Sequence, residues 1–141
     1  MSKILLLEDD HDMILLLQIL LEIERYQVWS YDPRRPVLEQ VKEKIPDLVL
    51  LDVHLGGVDG IQILRQIRQT PALGEVRVVM TSGINLSEEC LRDGANAFIV
   101  KPYMPEHLLE LLRAVLAAPA DQKHKEENPK PSSSVSYQKF L

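Results

Sequence analysis

Residues 46–60 read PDLVLLDVHLGGVDG. The run from Leu48 to Leu51 is continuously apolar and too short for a free-standing helix, which is the pattern of a parallel strand covered on both faces. Asp52 follows it immediately. Packing explains that carboxylate poorly, because Asp disfavours strands and is seldom buried without a partner. A strand that delivers an acid to its carboxyl end is a reason to look at the other strand ends.

Four more segments read as buried strands: Lys3 to Leu7, Gln27 to Tyr31, Val76 to Thr81 and Ala97 to Val100. Helical patterns lie between and after them. Asp12 to Glu24 carries a broad apolar stripe, and Pro36 to Lys44 opens on a proline suited to an early helical position. Asp59 with Gln62 resembles a capping pair for Gly60 to Gln69, and Ser87 with Glu88 and Glu89 starts a short helix ending near Gly94. Pro105 opens a last helix with Leu108, Leu109, Leu111, Leu112, Val115 and Leu116 as its apolar set. Strand and helix thus alternate five times. Right-handed crossovers turn that alternation into an α/β fold of the flavodoxin-like kind, a doubly wound five-stranded parallel sheet with helices on both faces.

In such sheets ligands bind beyond the carboxyl ends of the strands. Those ends carry Glu8-Asp9-Asp10 after the first strand, Asp52 after the third, Thr81-Ser82 after the fourth and Lys101-Pro102 after the fifth. The second ends in Tyr31-Asp32-Pro33, which reads as a turn. Carboxylates crowded at one edge repel one another, and a hard divalent cation with oxygen ligands, Mg2+, resolves the conflict. Lys101 beside them is a candidate ligand for an anionic group, and the Lys101-Pro102 bond is a candidate cis peptide. Carboxylate, cation, ammonium and hydroxyl together suit phosphoryl transfer to Asp52.

The composition limits the alternatives. The chain has 141 residues, a net charge of -5 and a single cysteine. That charge argues against a general nucleic-acid binder, no apolar run approaches the length of a membrane span, and lone Cys90 with no signal pattern reads as cytoplasmic. Residues 1–118 hold 12 Lys+Arg and 18 Asp+Glu, so the acidity lies in the part that reads as a domain. Residues 119–141 are rich in Pro, Ser, Lys and Glu and read as a disordered C-terminal tail, although Val135, Tyr137, Phe140 and Leu141 could form a short docking peptide. The tail is too short for an output domain.

The series KILLLEDD, PDLVLLDVHLGGVDG, VRVVMTSG and DGANAFIVKPY, with 43 residues from Asp9 to Asp52 and 30 from Asp52 to Ser82, resembles a response-regulator receiver domain of the stand-alone type. The resemblance covers residues 3 to about 118 and implies a strand order 2-1-3-4-5. It implies that Asp52 is the phosphoacceptor, served by a histidine kinase or phosphotransfer protein, and that Asp9 and Asp52 hold Mg2+ with the backbone carbonyl of His54, Glu8 acting through water. It further implies that Lys101 binds the phosphoryl group, that Ser82 (or Thr81, one residue earlier) is the switch hydroxyl, and that Phe98 turns inward in the active state. Partners would be that kinase, a downstream protein or a second copy, with no nucleic acid and no membrane. Two departures stand out: Leu55-Gly56-Gly57 replaces a stiffer loop, and the 19 residues from Ser82 to Lys101 imply a shortened fourth helix. A receiver-like module that binds partners without phosphorylation is the alternative. Asp52-x-His54-x-x-Gly57 also fits a cobalamin-binding signature, but that signature follows a first strand, not a third.

Overall fold

A computed structural model describes residues 1–119, 125–126 and 136–140. Strands β1 (Lys3–Leu7), β2 (Gln27–Ser30) and β3 (Leu48–Asp52) alternate with helices α1 (His11–Ile23) and α2 (Val37–Lys44). The short strands β4 (His54–Leu55) and β5 (Val58–Asp59) precede α3 (Gly60–Gln69), followed by a 3-10 turn (Pro71–Leu73), β6 (Arg77–Ser82), α4 (Ser87–Arg92), β7 (Ala97–Val100) and α5 (Pro105–Ala117). The parallel part of the main sheet runs β2-β1-β3-β6-β7, so β6 and β7 are the expected fourth and fifth strands.

The pleat divides the strand residues into two cores. Leu5, Leu7, Val49, Leu51, Val78, Met80 and Phe98 point to one face and pack with Val41 of α2, Leu64 of α3 and Cys90 of α4. Their neighbours Ile4, Leu6, Leu48, Leu50, Val79 and Ile99 point to the other and pack with Leu17 and Leu21 of α1 and Leu108 and Leu112 of α5. Alternate residues serve opposite faces because the strand period is two, and both faces are covered, which is why LVLL and ILLL carry no polar residue.

Local chemistry sets the element ends. Asp10 caps α1, its carboxylate accepting the Met13 N–H, and Asp59 caps α3 by accepting from Ile61 N–H. α4 begins at Ser87, as its sequence signal indicates, with Leu86 at the N-cap position; the Ser87 N–H and hydroxyl both donate to Asn85 Oδ1. α4 is six residues long, the shortening that the Ser82 to Lys101 interval implies. Asp32 is held in a turn by the Arg34 N–H and guanidinium and by the Gln40 side chain, as the second strand end suggests.

Two segments differ from the sequence reading. The Leu55-Gly56-Gly57 loop is a hairpin: His54 pairs with Asp59 and Leu55 with Val58 around a two-residue turn in which Gly56 has φ +59. Two glycines between short pairing strands remove the steric barrier to such a turn. In the tail, β8 (Lys125–Glu126) and β9 (Ser136–Phe140) pair as strands, β9 lying antiparallel on β7. A fixed edge strand was not expected there; the remaining tail residues lie outside the described ones.

Cys90 is fully buried, and burial with the acids Glu89, Asp93 and Asp59 nearby pushes its thiol up to about 12. The thiolate is the reactive form. The folded protein is therefore expected to resist a thiol reagent at pH 8 and to react fully once unfolded in denaturant; equal rates in both states would show that α4 does not cover the thiol.

Candidate functional site

The carboxyl ends of β1, β3, β6 and β7 lie side by side because the register aligns them: Leu7 stands beside Leu51, Asp52 beside Thr81 and Ser82 beside Val100. The residues one step beyond or at those ends therefore meet at a single edge. Oxygen atoms of Glu8, Asp9 and Asp52 lie within 4.8 Å of one another. Asp10, the neighbouring acid, is occupied as the α1 cap and does not join them.

Lys101 ties the cluster together. Its Nζ donates to Glu8 Oε1 at 2.6 Å and to Asp52 Oδ2 at 2.7 Å. The carboxylates are almost wholly inside, Glu8 with 3% and Asp52 with 8% of the side chain exposed, whereas Lys101 keeps 25%. Burial alone would lower the Lys101 ammonium, but the hydrogen bonds and charges of Asp52 and Glu8 overcome it and hold the group above its ordinary value. Burial raises the Glu8 carboxyl despite the opposing pull of Lys101 and the Asp10 N–H. One ammonium facing three acids leaves the edge short of positive charge.

Backbone donors fix the remaining oxygens. The His54 N–H donates to Asp52 Oδ1 at 2.9 Å, and Glu8 Oε2 accepts from Asp9 N–H at 3.0 Å and Asp10 N–H at 3.3 Å. Asp9, the exposed member, accepts the Gly56 N–H at 2.8 Å, so the hairpin turn is what steadies it. The His54 side chain is exposed. An all-oxygen set with one solvent-facing carboxylate fits a hard divalent cation that keeps part of its water shell.

The hydroxyls and the aromatic are close by. Ser82 is buried, its Oγ accepts the Ile84 N–H at 3.3 Å, and its carbonyl accepts the Lys101 N–H at 2.8 Å. Thr81 is equally buried, and its hydroxyl has no partner among the described residues. The Lys101-Pro102 bond is cis. Phe98 is already fully buried in the first core, so the inward turn expected on activation has no outward starting point in this structure.

Two residues of the site escape a reading by motif. Tyr103, two positions after Lys101, has a buried hydroxyl with no partner among the described residues; burial pushes it up to about 12, and the charges of Lys101, Glu8 and Asp52 act on it. Its signal was an aromatic with a polar tip just past a functional strand end. Gly60 is the other: a Cβ there would press on the backbone of Asp52 and Val53.

Comparison with known proteins gives the family and the fold. Residues 4–113 match the response regulator receiver domain family. Response regulator ArlR of Staphylococcus saprophyticus is 35% identical over 116 residues, covering 82% of this chain and 53% of that protein. The phosphate regulon transcriptional regulatory protein PhoB of Rhizobium meliloti is 30% identical, covering 82% and 52%. The chain thus spans about half the length of these curated relatives. Among solved structures, the BeF3-activated N-terminal receiver domain of Klebsiella pneumoniae RstA superposes with a TM-score of 0.71 at 29% identity, covering 83% of this chain and all of that one. A response regulator from Chloroflexus aurantiacus, described as putative by name, gives 0.75 at 26%, covering 83% and 98%. Phosphorylation-dependent switching is the general function of these proteins, and on the match over residues 4–113 this chain belongs to the response regulator receiver domain family.

Proposed function

We propose that Asp52 accepts a phosphoryl group from a histidine kinase or phosphotransfer protein, in a reaction that the domain itself promotes. The observation that carries this reading is the Lys101 ammonium bridging buried Asp52 and Glu8 beside Asp9. Asp52 Oδ attacks phosphorus in line; the new P–O bond forms as the bond to the donor breaks, and the leaving group departs with the electron pair. Lys101, freed from sharing Asp52, then meets the phosphoryl oxygens. Asp9, Asp52, the His54 carbonyl and, through water, Glu8 would hold Mg2+, which supplies charge compensation for those oxygens when bound.

Ser82 is the switch hydroxyl in this reading. Its hold on the Ile84 N–H is long, so turning Oγ toward a phosphoryl group sacrifices little and moves the segment leading into α4. Thr81, whose hydroxyl has no partner among the described residues, remains the competing donor one residue earlier. The surface around α4, β7 and α5 then changes its affinity for a downstream protein or a second copy, as a shift between two populations. We place the protein in the cytoplasm; among the described residues no helix is long and apolar enough to cross a membrane.

The test is intact-mass measurement after incubation with a small phosphodonor, with and without Mg2+. A cation-dependent gain of one phosphoryl group that is abolished in Asp52→Asn is the expected result. No gain with any donor would instead support the phosphorylation-independent interaction module.

A further inference from the structure

The site chemistry leaves the outer edge of β7 unexplained. β7 is the last of the parallel strands, and the outward N–H and C=O groups of such a strand form a template for any extended chain. Here the template is used. β9 runs antiparallel along it, with Ile99 opposite Ser136, Phe98 opposite Tyr137 and Ala97 opposite Gln138. β8 lies on the far side of β9, with Lys125 opposite Phe140 and Glu126 opposite Lys139.

We propose that the β7 edge is a strand-docking site whose occupant is the chain's own segment 136–140, bound in cis. Connectivity supports a cis origin. α5 begins beside the carboxyl edge of the sheet and descends, and the Arg77 guanidinium at the start of β6 holds the Ala118 carbonyl at 2.7 Å, fixing the exit at the amino edge. β8 begins at that same edge, since Lys125 faces Phe140, which lies beyond the residue paired with Ala97. Only residues 119–124 separate Ala118 from Lys125. Six residues reach about 20 Å when extended, and the three strand spacings from β6 to β8 take about 14 Å, so the return needs no second copy.

Charge and composition point the same way. Residues 119–141 carry four Lys against three acids, while residues 1–118 carry 12 Lys+Arg against 18 Asp+Glu. The segment SYQKF includes the strand-forming Tyr137 and Phe140 and contains neither Gly nor Pro. The docked strand also comes alongside α4. A partner that adds a strand to β7, or packs across α4 and β7, must first displace it. The inference stands apart from the phosphoryl chemistry and is tested without it.

The experiment is amide hydrogen exchange on the full chain, read by mass spectrometry at two protein concentrations, with sedimentation in parallel. Amides of 136–140 are expected to exchange on the order of tenfold or more slowly than a free peptide, equally at both concentrations. In Tyr137→Pro/Gln138→Pro, where two consecutive donors are lost, that protection should vanish and exchange at 97–100 should speed up, while Leu48 to Leu51 stay protected and report an intact domain. Free-peptide rates at 136–140 in the wild type would overturn the proposal. Protection that rises with concentration together with a dimer would overturn it too, assigning the strand to a second copy.

Discussion

Lys101→Ala is expected to destabilise the protein by about 3 kcal/mol near neutral pH in the absence of divalent cations, the scale for stripping one partner from a buried ion pair. The variant keeps Asp52 and Glu8, with 8% and 3% of their side chains exposed, and removes the ammonium that faces both. Neither carboxylate has another cationic partner among the described ion pairs. The sign of the pH dependence follows. Burial already raises Glu8, and losing Lys101 removes the influence that lowered it. A carboxyl raised on folding favours the folded state while it is protonated, and that advantage is lost as the pH climbs through the raised value. The gap between wild type and variant should therefore narrow on acidification and widen toward neutrality. Urea titrations at several pH values measure it. Adding Mg2+ should recover part of the loss, because a cation among the same oxygens replaces the missing charge. A variant as stable as wild type at neutral pH would show that the bridge contributes nothing net.

The sheet and its edge chemistry were legible because the relevant signals are local. An uninterrupted LVLL needs burial on both sides, and Asp52 directly after it needs a partner. The cation that answers it, Lys101, stands directly after another apolar strand. The polar residues Thr81 and Ser82 were harder: the pattern ends the strand at Thr81, whereas pairing continues through Ser82 beside Val100. Strand ends are set by neighbouring strands, which a one-dimensional pattern does not contain. The same holds for the hairpin at Gly56 and Gly57, whose turn is stabilised by an N–H reaching Asp9 from 47 residues away. Phe98 shows a third kind of limit. Its position was readable and its rotamer was not, because a side chain's state depends on the packing of α4 and of the strand beside β7. The tail left two readings open, a disordered end and a short docking peptide, because a short edge strand draws its stability from an open template and not from an apolar period of its own.

Gly60→Ala is expected to be the most damaging single methyl addition in the chain, costing about 3 kcal/mol or more. The Gly60 φ is not in the left-handed region, so the demand is for space and not for a turn conformation. A Cβ there would be driven into the Asp52 carbonyl oxygen and would sit 2.8 Å from Val53 Cα and 3.0 Å from the Asp52 carbonyl carbon. All three are backbone atoms at the end of the central strand β3, and no rotamer change can move them. Gly60 N–H also donates to Val53 O at 2.7 Å, so α3 starts in direct contact with the strand that carries Asp52. Relief requires α3 to lift away, which breaks that bond and opens the packing of Ile61 and Leu64 beneath. Two of the three atoms belong to the proposed phosphoacceptor and the third to its neighbour, so phosphoryl uptake should fall by more than the unfolded fraction explains, even at a temperature where the variant is folded. Gly57→Ala and Gly83→Ala, where an added Cβ meets nothing within 4 Å, are the matched controls and should shift the urea midpoint little. If Gly60→Ala matched them in both stability and phosphoryl uptake, the close approach of α3 to Asp52 would have no role in holding the carboxylate in place.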